Sequence, residues 1–426
     1  MFGRPITRRS CLKGATFAAA APLLARPALA QGAAGRVIVV GGGFAGATCA
    51  RFLKRLDRRL DVTLVEPNTT FTACPFSNEV IAGMRDLGAQ EFTYDKLVGD
   101  GIAFSKQAAV GVDPQARSVA LQDGTRLAYD RLVLAPGIDL RWGALPGYDE
   151  AAAERMPHAW KAGAQTLLLR RQLEAMEDGG LVVIAAPANP YRCPPGPYER
   201  ASLIAHYLKT RKPRPKLIVL DAKDAFSKQK LFQTAWKELY PGLLEWMSLS
   251  DGGKVTAVDA KALTVTTDFQ TYKPACANII PPQKAGRIAE MAGVANQTGW
   301  CPINPVTFES TLQPNIHVVG DAAIGGAMPK SAFAANAQAK VCAAAIAVLL
   351  AGGTPDNPKL INTCYSLVAP DYGVSVAAVY QPVNGQLAEV PGAGGTSPVD
   401  ATLSARVAEA SIADGWFRTI TAEIFG

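Results

Sequence analysis

One stretch constrains the chain more than any other: Arg36-Val-Ile-Val-Val-Gly-Gly-Gly-Phe-Ala-Gly-Ala47. Val37 to Val40 is a β-branched run of the kind that forms a buried parallel strand. It leads directly into Gly41-x-Gly43-x-x-Gly46, and the alanine-rich segment that follows predicts a helix. Gly41 permits a tight turn, Gly43 lets a pyrophosphate approach the backbone, and Gly46 lets helix and strand pack closely, with the helix N-terminus facing the phosphate charge. A second strand, Asp61-Val-Thr-Leu-Val-Glu66, ends in an acid placed to accept from a ribose hydroxyl. Glycines alone would equally suit a turn in an unrelated α/β domain. Strand, loop, helix, second strand and Glu66 together point to an ADP-containing cofactor.

A chain of 426 residues has room for two or three domains. Its first thirty residues are set aside as an export signal. Thr7-Arg8-Arg9-Ser10-Cys11-Leu12-Lys13 has the twin-arginine form, with Cys11 where a bulky apolar residue is usual. Gly14 to Ala25 is apolar, and Ala28-Leu29-Ala30 forms a small-x-small cleavage site. The expected location is periplasmic, with the mature chain starting at Gln31; a disordered basic tail is the alternative. Residues 1–30 carry five basic residues and no acids, so the formal charge of +7 belongs largely to them. No basic patch interleaved with aromatics follows, which argues against nucleic-acid binding. Val341 to Ala351 predicts a short buried helix ended by Gly352-Gly353, and no mature stretch predicts an integral membrane segment. Seven of the eight cysteines follow the signal. None sits in Cys-x-x-Cys-His, so no haem attaches to this chain, and their spacing matches no metal site.

Residues 31–147 and 285–354 predict a cofactor domain, 148–284 a second Rossmann-like domain, and 355–426 a C-terminal interface domain; the fold class is α/β. In the second domain, the strand Gly179-Gly-Leu-Val-Val-Ile-Ala-Ala-Pro187 runs into Ala188-Asn-Pro-Tyr-Arg-Cys-Pro-Pro-Gly-Pro197 where a second glycine loop would stand. Proline has no N–H to offer a phosphate, so NAD(P) binding is expected to be absent. Asn315-Ile-His-Val-Val-Gly320-Asp321 is a strand ending in an acid, similar to the second FAD signature. There the acid bonds ribityl or ribose hydroxyls, and a helix N-terminus directly after it faces the flavin. Together the two motifs select FAD.

With these residues in view, the chain resembles the flavoprotein subunit of flavocytochrome c sulfide dehydrogenase. The resemblance rests on Val39–Thr48, Cys74-Pro-Phe-Ser-Asn-Glu-Val80, Pro157-His-Ala-Trp-Lys-Ala-Gly163, Arg192-Cys-Pro-Pro-Gly-Pro-Tyr-Glu-Arg-Ala201, Gly299-Trp-Cys-Pro302, Met328-Pro-Lys-Ser331 and Asn362-Thr-Cys-Tyr-Ser366. It implies two dinucleotide-binding domains of glutathione-reductase type, bound FAD, and a separate c-type cytochrome subunit as electron acceptor. It also implies that Cys74 bonds the flavin 8α-methyl group; Pro75 and Phe76 depart from the family's tyrosine-containing pattern, and an inert core thiol is the alternative.

The family's redox-active disulfide falls on Cys193 and Cys364. Hydrosulfide attack would leave a persulfide, placed on Cys193, and free a flavin-side thiolate, placed on Cys364; a structural staple between domains is the alternative. Glu199 resembles the family's acid/base group, although a glutamate near a helix start also suits the helix dipole. Lys330 is a candidate cation for the reduced flavin, or a surface lysine. Trp416 matches a tryptophan near the flavin, or is a core residue. The expected activity is oxidation of sulfide with electrons passing through FAD to a cytochrome. A sulfide:quinone reductase is the alternative enzyme; it asks for an amphipathic membrane-facing tail, and residues 401–414 are weakly amphipathic with Asp414-Gly415 as an interruption. A non-turnover flavoprotein assisting a sulfur-oxidising partner is the alternative of another class.

Overall fold

The computed structural model describes residues 34–212 and 214–426. The twin-arginine signal and its cleavage site lie outside the described residues. Two parallel sheets and one antiparallel sheet organise the rest. Arg36–Val40 is the central strand of the first, with Asp61–Val65 and then Ala103–Ser105 on one side and Arg131–Leu134 and then Ile316–Val318 on the other. Every pairing is parallel, and Val37, Val39, Leu64 and Leu132 are fully enclosed, which is why the strand sequences are continuous apolar runs rather than alternating ones. Each such side chain contributes roughly 1.5–3 kcal/mol by leaving water.

The second parallel sheet runs Leu244–Met247, Lys216–Asp221, Leu181–Ala186, Cys276–Ile279. A short antiparallel pair, Ile138–Leu140 with Gln283–Ala285, marks where the chain passes out of the first sheet's region and back. The third sheet is an antiparallel meander of Leu360–Ala369, Tyr372–Val383 and Gln386–Thr396. It is followed by the C-terminal helix Leu403–Phe425.

Two helices depart from the sequence expectation. The apolar stretch Val341–Ala351 is only the second half of a 19-residue helix, Ala332–Leu350, because Asn336, Gln338 and Lys340 interrupt the apolar pattern but not the backbone. Among the described residues this is a helix long and apolar enough to cross a membrane, with mean hydropathy 1.6; half of it is buried inside the protein. It packs on the helix Phe44–Leu56, and its Lys340 pairs with Glu423 at 2.7 Å. Asp414-Gly415 does not break the C-terminal helix either. Ala413, Phe417, Ile420 and Ile424 bury one face across that point, and tertiary packing outweighs glycine's cost of about 1 kcal/mol within a helix.

Candidate active site

The glycine loop takes the shape its residues demand. Gly41 has φ +102°, and a Cβ there would lie 2.4 Å from the Ala135 carbonyl oxygen. A Cβ on Gly46 would lie 1.8 Å from the Gly41 carbonyl oxygen, so helix and loop touch through glycine alone. Gly43 meets only the Phe71 ring edge at 3.4 Å, which leaves its backbone open to the cavity. Glu66 follows the second strand and accepts from the Gly42 and Asn68 backbone N–H groups, each at 3.0 Å.

This loop forms one end of a cavity of about 640 Å³, whose wall also carries Glu66, Cys74, Asp321 and Trp416. Gly320 has φ +76°, and its N–H donates to Gln338 at 2.9 Å. The helix expected straight after Asp321 is only a single 3-10 turn, Gly320–Ala322. The helix that faces the cavity begins ten residues later at Ala332, capped by Ser331, whose hydroxyl accepts from the Ala334 N–H at 3.0 Å. Its first residues line the cavity. Asp321 Oδ1 is buried without a partner, while Oδ2 lies 3.7 Å from Arg192. Burial pushes this carboxyl above its usual range against the pull of Arg192 and Lys330. An orphaned acceptor, an exposed glycine backbone and an acid beyond the second strand, all on one cavity, fit a ligand with a pyrophosphate and several hydroxyls, as FAD has.

The sulfur-bearing residues meet at the same cavity. Cys74 lies between the short strand Thr70–Thr72 and the helix Ser77–Ala82. Cys193 lies on the proline-rich loop between Leu181–Ala186 and the helix Gly196–Arg211, and Cys364 on the first strand of the meander. All three thiols line the cavity and all are free. Cys193 adopts a left-handed φ of +56°, held by its N–H on the Lys330 carbonyl at 2.8 Å and by its own carbonyl accepting from Gly196 at 2.8 Å. A Cβ on Gly196 would sit 3.0 Å from its sulfur. Burial first, then Glu199 and Cys364, push the Cys193 thiol well above its usual range.

Glu199 stands in the first turn of the helix Gly196–Arg211. Its carboxylate accepts from the Leu367 backbone N–H at 3.0 Å and from Asn78 at 3.2 Å, bridging two walls of the cavity. Burial raises it to about 7, against the Leu367 bond and the Lys228 charge. Trp416 lines the cavity too, stacked on Phe333 with ring centres 6.1 Å apart. Lys330 does not join them. Its ammonium donates to the Asp321 and Ala323 carbonyls at 2.8 and 2.7 Å and lies over Trp300, so its cation steadies the Asp321 turn from behind.

Three cations escaped the sequence reading. Arg192 was signalled only by adjacency to Cys193. Arg200 is enclosed, and its guanidinium donates to Asn78, Asn278 and the carbonyls of His158 and Ala159, all neutral. Lys228, just before the helix Gln229–Leu239, donates to the Cys364 carbonyl at 2.9 Å from a segment distant in sequence. In the second parallel sheet, Asp221 ends its strand as Glu66 follows its own, but it is wholly enclosed. It accepts from Tyr198 at 2.6 Å and Trp246 at 2.9 Å, and it pairs with Lys223.

Residues 166–281 match the model for the central part of the sulfide dehydrogenase [flavocytochrome c] flavoprotein chain. Residues 356–425 match that for the flavin-binding part of flavocytochrome c sulphide dehydrogenase, and residues 35–174 that of the pyridine nucleotide-disulphide oxidoreductases. Over 45 residues the chain is 62% identical to the sulfide dehydrogenase [flavocytochrome c] flavoprotein chain of Chlorobaculum thiosulfatiphilum, covering 94% of that sequence and 11% of this one. Over 306 residues it is 22% identical to the mitochondrial sulfide:quinone oxidoreductase of Mus musculus, 67% of this chain and 65% of that protein's length. The solved sulfide:quinone oxidoreductase of Aquifex aeolicus superposes with a TM-score of 0.70 at 18% identity, over 91% of this chain and 92% of that one. With the FAD-dependent pyridine nucleotide-disulfide oxidoreductase fold thus established, the chain belongs to the family of FAD-binding flavoproteins made up of the sulfide dehydrogenases and the sulfide:quinone oxidoreductases.

Proposed function

We propose that this protein oxidises sulfide through a reversible Cys193–Cys364 disulfide and hands the electrons by way of FAD to a c-type cytochrome. The observation that carries the reading is the convergence of Cys193, Cys364 and Glu199 on the cavity whose other end is the glycine loop. FAD would be held by Gly41, Gly43, Gly46, Glu66, Gly320 and Asp321, with a covalent bond from Cys74 and Trp416 beside it. Bound there, it supplies a two-electron acceptor next to the thiols.

In the oxidised form, hydrosulfide attacks Cys193. A bond forms between the incoming sulfur and the Cys193 sulfur, the Cys193–Cys364 bond breaks, and the electron pair leaves on Cys364 as thiolate. The sulfide sulfur is thereby oxidised and the disulfide reduced. The direction of attack follows from the Cys193 environment: a thiol held well above its ordinary range is a poor leaving group. Glu199, raised to about 7, takes the proton from hydrogen sulfide near neutral pH and can return one to the product. NAD(P) has no part in this reading. The position equivalent to Glu66 is Asp221, already engaged by Tyr198, Trp246 and Lys223, and the Phe226 ring stacks on Tyr198 at 3.6 Å.

The cytochrome as acceptor rests on the Chlorobaculum relative and on the two sulfide dehydrogenase models. A quinone as acceptor draws on the mouse and Aquifex relatives and on the unbroken C-terminal helix, which exposes Leu403, Val407 and Ile412. Export to the periplasm by the twin-arginine route belongs to the cytochrome reading.

The experiment is sulfide-dependent reduction of cytochrome c by the purified protein and its co-purifying partners. Cys193→Ser is expected to abolish it while flavin stays bound; normal turnover by that variant would sink the disulfide mechanism. Stable association with membranes and reduction of a quinone in place of cytochrome would transfer the reading to the quinone reductases. Cys74→Ser is expected to release flavin into the supernatant on acid precipitation, and flavin kept in the pellet would refute the covalent link.

A further inference from the structure

Lys228 is placed at a cost that its own surroundings do not explain. It precedes the helix Gln229–Leu239 with a left-handed φ of +61°, a conformation unfavourable for any residue with a Cβ. Its side chain is buried, 8% exposed. The ammonium donates to the Cys364 carbonyl at 2.9 Å, the Ser366 hydroxyl at 2.8 Å and, more weakly, the Val374 carbonyl at 3.4 Å. All three partners are uncharged, so the buried cation is solvated but not neutralised, and an apolar side chain of similar length would fill the same space without that desolvation.

What faces it gives the charge a use. The titratable groups around Lys228 are Cys364 on the meander strand, Glu199 on the helix Gly196–Arg211, Cys193 on the proline loop and Glu409 on the C-terminal helix. Three of the four belong to the site described above. Asn362 completes the setting, with its amide donating to the Cys364 sulfur at 3.3 Å. Burial brings Lys228 down to about 8, so the cation predominates at neutral pH and fades above it.

We propose that Lys228 is a positioning residue of the thiol site, whose charge stabilises the Cys364 thiolate released when the Cys193–Cys364 disulfide opens and whose hydrogen bonds hold the strand carrying it. The proposal rests on the disulfide reading above. The bond that breaks is Cys193–Cys364 and the electron pair stays on the Cys364 sulfur; Lys228 neither gives nor takes a proton in that step. It lowers the energy of the charged product through space, as a cation beside a thiolate does.

The test uses the flavin-loaded protein with the thiol pair reduced. Alkylation of Cys364 by iodoacetamide is followed by peptide mass spectrometry from pH 6 to 9 in wild type, Lys228→Met and Lys228→Arg. Lys228→Met is expected to slow alkylation of Cys364 about tenfold at pH 7 and to displace the rate profile to higher pH, and Lys228→Arg to remain near wild type. Superimposable wild-type and Lys228→Met profiles would overturn the proposal, as would a Lys228→Arg variant as slow as Lys228→Met, since packing rather than charge would then be at work. If Lys228→Met does not retain flavin, Lys228→Gln keeps a donor to the Cys364 carbonyl without the charge and is held to the same tenfold criterion. No turnover of sulfide enters this readout. An active Cys193→Ser variant would therefore sink the function while leaving the electrostatics standing, and unchanged alkylation beside an inactive Cys193→Ser variant would sink only the role of Lys228.

Discussion

Glu199, the acid/base group of the proposed reaction, also costs stability. Its carboxyl is raised from 4.5 to about 7 by burial. A raised folded value means that the stability it contributes is fully present below about pH 4.5 and is lost as pH rises through 7, a loss of about 3 kcal/mol at the upper end. Glu199→Gln is therefore expected to lose less thermal stability than wild type between pH 5 and 8, measured as the difference in melting temperature. The same variant is expected to lower kcat/KM for sulfide roughly 100-fold and to remove the limb of the pH profile near 7. A variant that keeps the limb would show that another group titrates there. Glu199 was a candidate in the sequence through the family resemblance, six residues after Cys193. Its ionisation was not, because burial raises it while Leu367, Lys228 and Asn78, from three distant segments, pull it back down.

Among the elements, the strand, turn and helix at Arg36–Leu56 were readable from the sequence, since the steric demands on Gly41 and Gly46 are local. The C-terminal helix was not. Its end is buried against that unit and the strand pair beside it: Phe425 meets the Phe44 ring edge-on at 6.5 Å and stacks on Phe71 and Phe92, on Thr70–Thr72 and Glu91–Thr93, with ring centres 5.4 Å away in each case, and the Glu423 carbonyl accepts from Arg51 at 2.6 Å. Phe425→Ala is expected to cost about 3–4 kcal/mol and to speed flavin loss, because Phe71 also borders Gly43. Thermal melts and flavin release on dilution check both, and unchanged flavin retention would separate the helix from the cofactor loop. The apparent break at Asp414-Gly415 misled because a local propensity of about 1 kcal/mol competes with several buried aromatic and branched side chains.

At the scale of the whole molecule, two parallel sheets of similar build have separate fates. Glu66 keeps its carboxylate at the cavity rim, whereas Asp221 is sealed by Tyr198, Trp246, Lys223 and the Phe226 ring. NADH added to the flavin-loaded protein is expected to leave the visible flavin absorbance unchanged, while sulfide bleaches it. Bleaching by NADH would mean that the second sheet still receives a nicotinamide nucleotide.

The sequence by itself determined the backbone of the cofactor site. Gly41, Gly43, Gly46 and Gly320-Asp321 act through turns and close approaches that span a few residues, and such constraints are visible in a linear string. It also singled out Cys74, Cys193 and Cys364, through resemblance rather than physics. Only the tertiary structure decided that these three residues share one cavity, that Lys330 turns its charge to backbone carbonyls, and that Arg200 and Lys228 are buried on uncharged hydrogen-bond partners. Burial and through-space charge depend on residues brought together from separate loops, sheets and helices, Lys228 and Cys364 among them. No local pattern of residue types records that.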